Sequence, residues 1–354
     1  MSSYLAWSGT APLDLHPDQS KGSDRRCCPC WLPLPKEFAE YAQPLRYRGN
    51  SRLLLRGWCV SGPADKGFFG WTFFMSLCMA WNFYVTILPH FLELDKSQSG
   101  QRLRLACEIL GVVGLFGMLR AAFMNPGIVP RQDLTEVLRK CPEEWRDIGS
   151  GLPKPRYVVI NGISVAQKFC STCAIYRPPR SKHCAFCNNC VLRFDHHCSW
   201  IGNCVGLRNY RYFFLFISST AILLGIVLWV TAETIRRDTE QRRADDGFLA
   251  ILIVLIQDPI LLARGLYFLL ALGIFVALAL LTWYHITVIA VNLTTNEHIK
   301  DYYEGIDGDR HNPFDERGWL GNCTQVCCQP EKLPRGYWSY SEPRNMLGSP
   351  PSDY

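Results

Sequence analysis

Residues 1–66 lack the apolar core segment of a secretory leader, being polar, basic and rich in proline instead. That lack bears on the 17 cysteines of the chain, a number that in a short secreted protein would read as a disulfide framework. CxxC pairs with histidines at finger spacing, and no export signal, point to metal thiolates in a reducing compartment. Ionisable residues are also scarce in the middle of the long apolar runs, which speaks against a channel or transporter. His285, near the end of the last run, is the main exception and is expected to pack or to lie at the interface. Acid is also scarce in 157–209, where Asp195 stands alone against the six bases Lys168, Arg177, Arg180, Lys182, Arg193 and Arg208.

What the chain does have is apolar length. Of its 354 residues 48% are apolar, and runs at 68–92, 103–124, 210–232 and 265–292 can each cross a hydrocarbon core of ~30 Å as a helix. A further run at 247–263 is broken by Gln257, Asp258 and Pro259 and is expected to be interfacial or re-entrant. Lys and Arg number nine in 1–66 and 12 in 125–209, against one in the link 93–101. The positive-inside rule then places both termini and the segment between the second and third runs in the cytosol. The expected fold is an all-α polytopic membrane protein with four transmembrane helices and a cytosolic double zinc-knuckle domain between helices two and three. Its parts are an N-terminal arm (1–66), a first hairpin (67–124), a cysteine-rich domain (125–209), a second hairpin (210–292) and a cytosolic tail (293–354). A strand meeting a turn is expected around 157–163.

Seven cysteines and three of the eight histidines fall in 170–204. Cys170, Cys173, His183 and Cys190 follow the spacing C-x2-C-x9-H-x6-C, and Cys184, Cys187, His197 and Cys204 repeat it 14 residues later. Two interleaved sets of soft ligands imply two closed Cys3His zinc sites. Each structural zinc supplies ~10–16 kcal/mol in place of a hydrophobic core, and neither knuckle forms without constraining the other. At the same offset Cys198 opens a third unit whose second thiol position is Ile201. Cys198 and His196 therefore have no metal role.

A thiol beside a spare imidazole, on a loop braced by His197, is a candidate nucleophile, with His196 as base and Asp195 as its orienter. The basic surroundings offset thiolate charge and favour anionic lipid or the phosphates of a nucleotide cofactor. Thioester exchange with a fatty acyl-CoA fits: phosphates on the basic surface, carbonyl at Cys198, chain among the helices.

These residues resemble the DHHC protein S-acyltransferases (palmitoyltransferases) over roughly 68–323. The matching pieces are Arg177-Pro178-Pro179-Arg180, the full ligand set, Asp195-His196-His197-Cys198, and Gly202-Asn203-Cys204-Val205-Gly206 with Asn209-Tyr210. Thr294-Thr295-Asn296-Glu297 matches the TTxE element, and Asn312-Pro313-Phe314 with Gly318 and Asn322 looks like the C-terminal packing motif. The resemblance implies ping-pong transfer of palmitoyl from acyl-CoA, through a thioester on Cys198, to cysteines of membrane-associated proteins. Asp195 and His196 would activate Cys198, and two structural zinc ions would brace it. It also implies residence in the Golgi, endoplasmic reticulum or plasma membrane. Ser199 stands where the family has proline, expected to loosen the loop and affect rate, and Asn125 stands where an aspartate opens a turn. The TTNE element and the cysteines of the tail are most similar to the branch that acylates Ras-type proteins with an accessory subunit.

Three rival readings remain: a nucleic-acid-binding finger, a transporter with a zinc lock, and an inert relative. Against the first, the block is clamped between spans and offers no helix for a groove, so no nucleic-acid partner is expected. Cys27, Cys28 and Cys30 read equally as a metal half-site, as lipidated cysteines or as unstructured chain. Cys323, Cys327 and Cys328 read preferentially as acylated.

Overall fold

A computed structural model describes residues 49–54, 59–63, 68–94, 98–161, 163–242, 257–300, 312–315 and 318–328. Cys27, Cys28, Cys30 and the run at 247–256 lie outside them. The chain divides into two compact units, one of 52–126 and 197–289, the other of 1–51, 127–196 and 290–354.

The first unit is helical. A short hairpin of β1 (Arg52–Leu54) and β2 (Cys59–Ser61) precedes it. Among the described residues, four helices are long and apolar enough to cross a membrane. The first consists of α1 (Phe68–Asn82), a π-helical turn (Phe83–Ile87) and α2 (Leu88–Leu94). Pro89 cannot donate to the carbonyl four residues back, and the π turn sits directly ahead of it. The second is α3 (Gln98–Phe123). The third, α5 (Tyr210–Arg242), runs ten residues past the expected end at Ala232. Its extension carries Glu233 paired with Arg236 and Arg237, and Arg236 paired with Glu240, one turn apart. Such pairs continue a helix after the apolar sequence stops.

The fourth, α6 (Pro259–Ala290), starts earlier than expected. Pro259 takes the first helical position, and the Asp258 carboxylate accepts from Ile260 N at 2.8 Å and Leu261 N at 3.1 Å. Residues 259–263 of the 247–263 run thus form the first turn of this helix, and the expectation for 247–256 lies outside the described residues.

Trp81, Leu269, Leu280 and Trp283 are all more than 60% exposed. Helices with apolar faces turned outward need a lipid solvent. Inside, α3 and α5 meet closely, since a Cβ on Gly117 would lie 2.9 Å from Phe216 N. Phe83, Ile87, Phe91, Cys107 and Val230 form a buried cluster. His285 is buried, its Nδ1 2.9 Å from the Tyr210 hydroxyl, so it is a packed histidine. Asp238, also buried, joins Arg264 and, at 2.9 Å, His90.

The second unit contains α4 (Leu134–Lys140), capped by Asp133. The strand expected around Tyr157 is present as an antiparallel hairpin of β3 (Arg156–Ile160) and β4 (Ile163–Gln167). The cysteine block also contains regular structure. It forms short hairpins pairing β5 (Phe169–Cys170) with β6 (Ile175–Tyr176), and β7 (Lys182–Cys184) with β8 (Asn189–Val191). A third hairpin, which apart from His196 belongs to the first unit, pairs β9 (His196–Cys198) with β10 (Asn203–Val205). Strands of two or three residues carry too little alternation to be read from sequence. Beyond α6 come α7 (Thr295–Ile299) and α8 (Trp319–Cys327).

Candidate active site and metal centres

The 14-residue repeat of the sequence is also a repeat of the backbone. Cys170, Cys184 and Cys198 each end the first strand of a hairpin. Ala174, Asn188 and Gly202, spaced by the same offset, all take left-handed conformations, with φ of 53°, 50° and 62°. Each turn therefore folds back in the same way, and the first two bring a CxxC pair to one point. The third has buried Ile201 in place of the second thiol.

The ligand atoms of Cys170, Cys173, His183 and Cys190 lie within 4.8 Å of one another, as do those of Cys184, Cys187, His197 and Cys204. His183 Nδ1 is 3.3 Å from Cys173 Sγ and 3.6 Å from Cys170 Sγ, and His197 Nδ1 is 3.6 Å from Cys204 Sγ. Hydrogen bonds from Cys173 and then Cys190 hold the Cys170 thiol far below its ordinary value. Bonds with Cys170 push Cys173 and Cys190 up in turn. Three thiols packed this closely cannot all ionise without a cation between them. Three sulfurs and one imidazole suit tetrahedral zinc, so both predicted ligand sets fit a zinc ion.

Side chains alternate along a strand, so His196 and Cys198 share one face of β9 while His197 takes the other. Cys198 is 8% exposed. Asp195, whose side chain is fully buried, places Oδ2 2.7 Å from His196 Nδ1. Its other oxygen, Oδ1, accepts from the Thr295 backbone N–H at 2.8 Å. With Nδ1–H bound to the carboxylate, the lone pair of His196 is on Nε2.

Thr295 is placed by its own short helix. Thr294 caps α7, its hydroxyl accepting from Glu297 N at 3.2 Å while Glu297 Oε2 accepts from Thr294 N at 2.8 Å. This capping box also fixes the Glu297 carboxylate. Arg180 binds it with two parallel bonds, Nε to Oε1 at 3.0 Å and Nη2 to Oε2 at 2.7 Å. Both side chains are under 5% exposed. Burial alone would raise the Glu297 carboxyl, but the Arg180 charge and the bonds from Arg180 and Thr294 bring it below the usual carboxylate range.

The six bases divide. Arg180 and Arg193 are buried in hydrogen bonds and do not belong to a surface patch. Lys182 donates to Asn296 Oδ1 at 2.8 Å. Burial, followed by the neighbouring Lys300 charge and that of Arg177, depresses its ammonium. Only the fold brings Lys300 to Lys182, so sequence spacing does not reveal it.

The asparagines of the matched motifs also gain roles. Asn203 Nδ2 donates to the carbonyls of Ala122 and Met124, both at 3.0 Å, and Asn209 Nδ2 to that of Ala121 at 3.0 Å. These bonds satisfy carbonyls that the end of α3 leaves open. Asn322 Nδ2 donates to Ala290 O and Asp315 Oδ1, each at 2.8 Å. In α8, burial and the adjacent Cys323 push the Cys327 thiol up to about 11, and Cys328 is exposed.

A family model described as DHHC palmitoyltransferase matches residues 163–302. Palmitoyltransferase ZDHHC18-B of Danio rerio is 35% identical over 229 residues, 63% of this chain and 57% of the relative. Palmitoyltransferase ZDHHC18 of Homo sapiens is 33% identical over 297 residues, 80% of this chain and 69% of the relative. Protein S-acyltransferase 8 of Arabidopsis thaliana is 31% identical over 296 residues, 82% of this chain and 70% of the relative. The chain thus spans between 57% and 70% of the length of these relatives.

Proposed function

Because the chain belongs to the DHHC palmitoyltransferase family, we propose that it moves a fatty acyl group, palmitoyl in the first instance, from acyl-CoA to protein cysteines through a thioester on Cys198. One observation carries this reading. Cys198 stands in a ligand's place in the third knuckle, outside both metal sets, on the same strand face as a histidine already oriented by a buried carboxylate.

In the first half-reaction His196 Nε2 takes the Cys198 thiol proton and the thiolate attacks the acyl carbonyl. The carbonyl–sulfur bond of acyl-CoA breaks, and the CoA thiolate leaves with the proton. In the second, an incoming cysteine gives its proton to His196 and its sulfur attacks the acyl-Cys198 carbonyl, returning Cys198 as a thiol. Asp195, held by Thr295, keeps His196 in the tautomer that both steps require. Zinc at the two Cys3His sites supplies cross-linking of the knuckles and no chemistry of its own. Lys182, Lys300 and Arg177 form the cationic group that would meet the CoA phosphates.

The acyl chain enters among the four apolar helices, and the substrates are membrane-associated proteins with cytosolic cysteines. In this reading both termini and the zinc domain are cytosolic, and the arm, two hairpins, cysteine-rich domain and tail keep the bounds read from the sequence. The likeness of the TTNE element to the Ras-acylating branch supports use of an accessory subunit, and the family resemblance supports residence in the Golgi, endoplasmic reticulum or plasma membrane.

Rapid mixing of the purified protein with fatty acyl-CoA tests the reading. The expected result is a burst of free CoA equal to the enzyme concentration, followed by slow turnover that an acceptor protein accelerates. CoA release only when acceptor is present would contradict the two-step route. No acyl-dependent CoA release at all would contradict the transferase assignment.

A further inference from the structure

Asn292 is fully buried and leaves the end of α6 with φ of 49°. A left-handed residue at this position ends a helix, and asparagine is one of the few L residues that take the conformation readily. Its side chain is used on both sides. Oδ1 accepts from Arg180 Nη1 and from Arg193 Nη2, each at 3.0 Å. Nδ2 donates to Phe314 O at 2.6 Å and to Gln325 Oε1. The Asn292 carbonyl accepts from Arg180 Nη2 at 2.8 Å and from Asn312 Nδ2 at 3.2 Å.

Both arginines are themselves left-handed, with φ of 62° for Arg180 and 42° for Arg193. Long side chains rarely sit there, and such strain persists only where surrounding contacts over-determine it. Here the contacts converge on one amide. Their place along the chain matters as well. Arg193 lies two residues before Asp195, and Asn292 three before Thr295. The Arg193–Asn292 and Asp195–Thr295 hydrogen bonds therefore fasten the same two segments at successive points.

We propose that Asn292 is a positioning residue for acyl transfer. By holding Arg193 in register with the chain leaving α6, it sets the Thr295 N–H on Asp195 and so fixes the carboxylate that orients His196. The proposal rests on the reading of Asp195 and His196 as the activating pair.

Three substitutions separate the backbone from the amide. Asn292→Gly keeps access to positive φ and removes the side chain. Asn292→Asp keeps an oxygen toward both guanidiniums and turns the donor edge into an acceptor. Asn292→Ala removes the amide and disfavours the φ. Single-turnover acylation of Cys198 is measured for each at saturating acyl-CoA, with the KM for acyl-CoA and the zinc content.

Asn292→Gly is expected to slow acylation roughly 10- to 100-fold, as a misplacement of about an ångström does, with KM unchanged and zinc retained. Asn292→Asp is expected to recover part of that loss, and Asn292→Ala to be the slowest. A wild-type rate in Asn292→Gly, while Asp195→Asn is slow, overturns the proposal and leaves the Asp195 reading standing. A wild-type rate in Asp195→Asn overturns both. Parallel falls in rate, zinc and thermal stability, with no rescue by aspartate, would make Asn292 only structural and overturn it too. Should Asn292→Gly not accumulate, Arg193→Gln probes the same tie from its other end. Slow acylation with zinc retained supports the proposal, and a wild-type rate overturns it.

Discussion

Cys198 differs from Cys170 and Cys184 in its partner rather than in its own setting. All three end a first strand at the same offset, but only Cys198 faces an isoleucine where the others have a second thiol. This much is legible in the sequence, because ligand spacing is covalent and survives any fold. The carboxylate contact is not. Asp195 could be suspected from its place in the motif, yet the donor that holds its second oxygen is a backbone N–H 100 residues away. Asp195→Asn is expected to slow Cys198 acylation by on the order of 10²–10⁴, the range of a lost general base, while zinc stays bound. Single-turnover rates and metal analysis on one preparation check this.

At the scale of the elements, the four spans are legible because lipid demands an unbroken apolar run of fixed length. Their ends are not. α5 continues on ion pairs and α6 begins on an aspartate cap, both local effects weaker than the apolar signal. The TTNE element is visible as a pattern, but its physical content is a capping box whose glutamate closes on an arginine 117 residues earlier. Removing one member of that buried pair leaves the other charge unpaired. Arg180→Met or Glu297→Met is expected to cost about 3–5 kcal/mol, and the double substitution to recover most of it. Thermal unfolding of the four proteins in detergent reads this directly. The interleaved ligands give a second expectation. Cys170→Ser is expected to weaken both zincs rather than one, because the segment between the sets is shared. Metal stoichiometry by mass spectrometry, near zero rather than near one, checks it.

For the whole molecule, the sequence shows four spans with a block fitted for metal between the second and third, and the family agrees. It does not show that the compact units cut across that order. The residues after α6 belong with the cysteine block, tied to it by Asn292, while Asn312 and Asn322 fasten the following chain to the end of α6. Hydropathy cannot see such a grouping, since asparagine amides carry it. The proposed orientation, with both termini on the side of the zinc domain, rests on the charge asymmetry. Epitope tags at either end are expected to be reached by antibody after selective permeabilisation of the plasma membrane, with internal membranes intact. Tags protected until all membranes are opened would reverse the orientation.

The central claim is that the loop built by the two metal sites presents Cys198 as the acyl carrier. Incubation of wild type and Cys198→Ser with a fatty acyl-CoA analogue tests it most directly, when hydroxylamine-sensitive label and zinc are counted on the same samples. The account expects one acyl group and two zincs per wild-type chain, and two zincs with no label at position 198 in the variant. Hydroxylamine-sensitive label at the wild-type rate in Cys198→Ser, with both zincs in place, would contradict it.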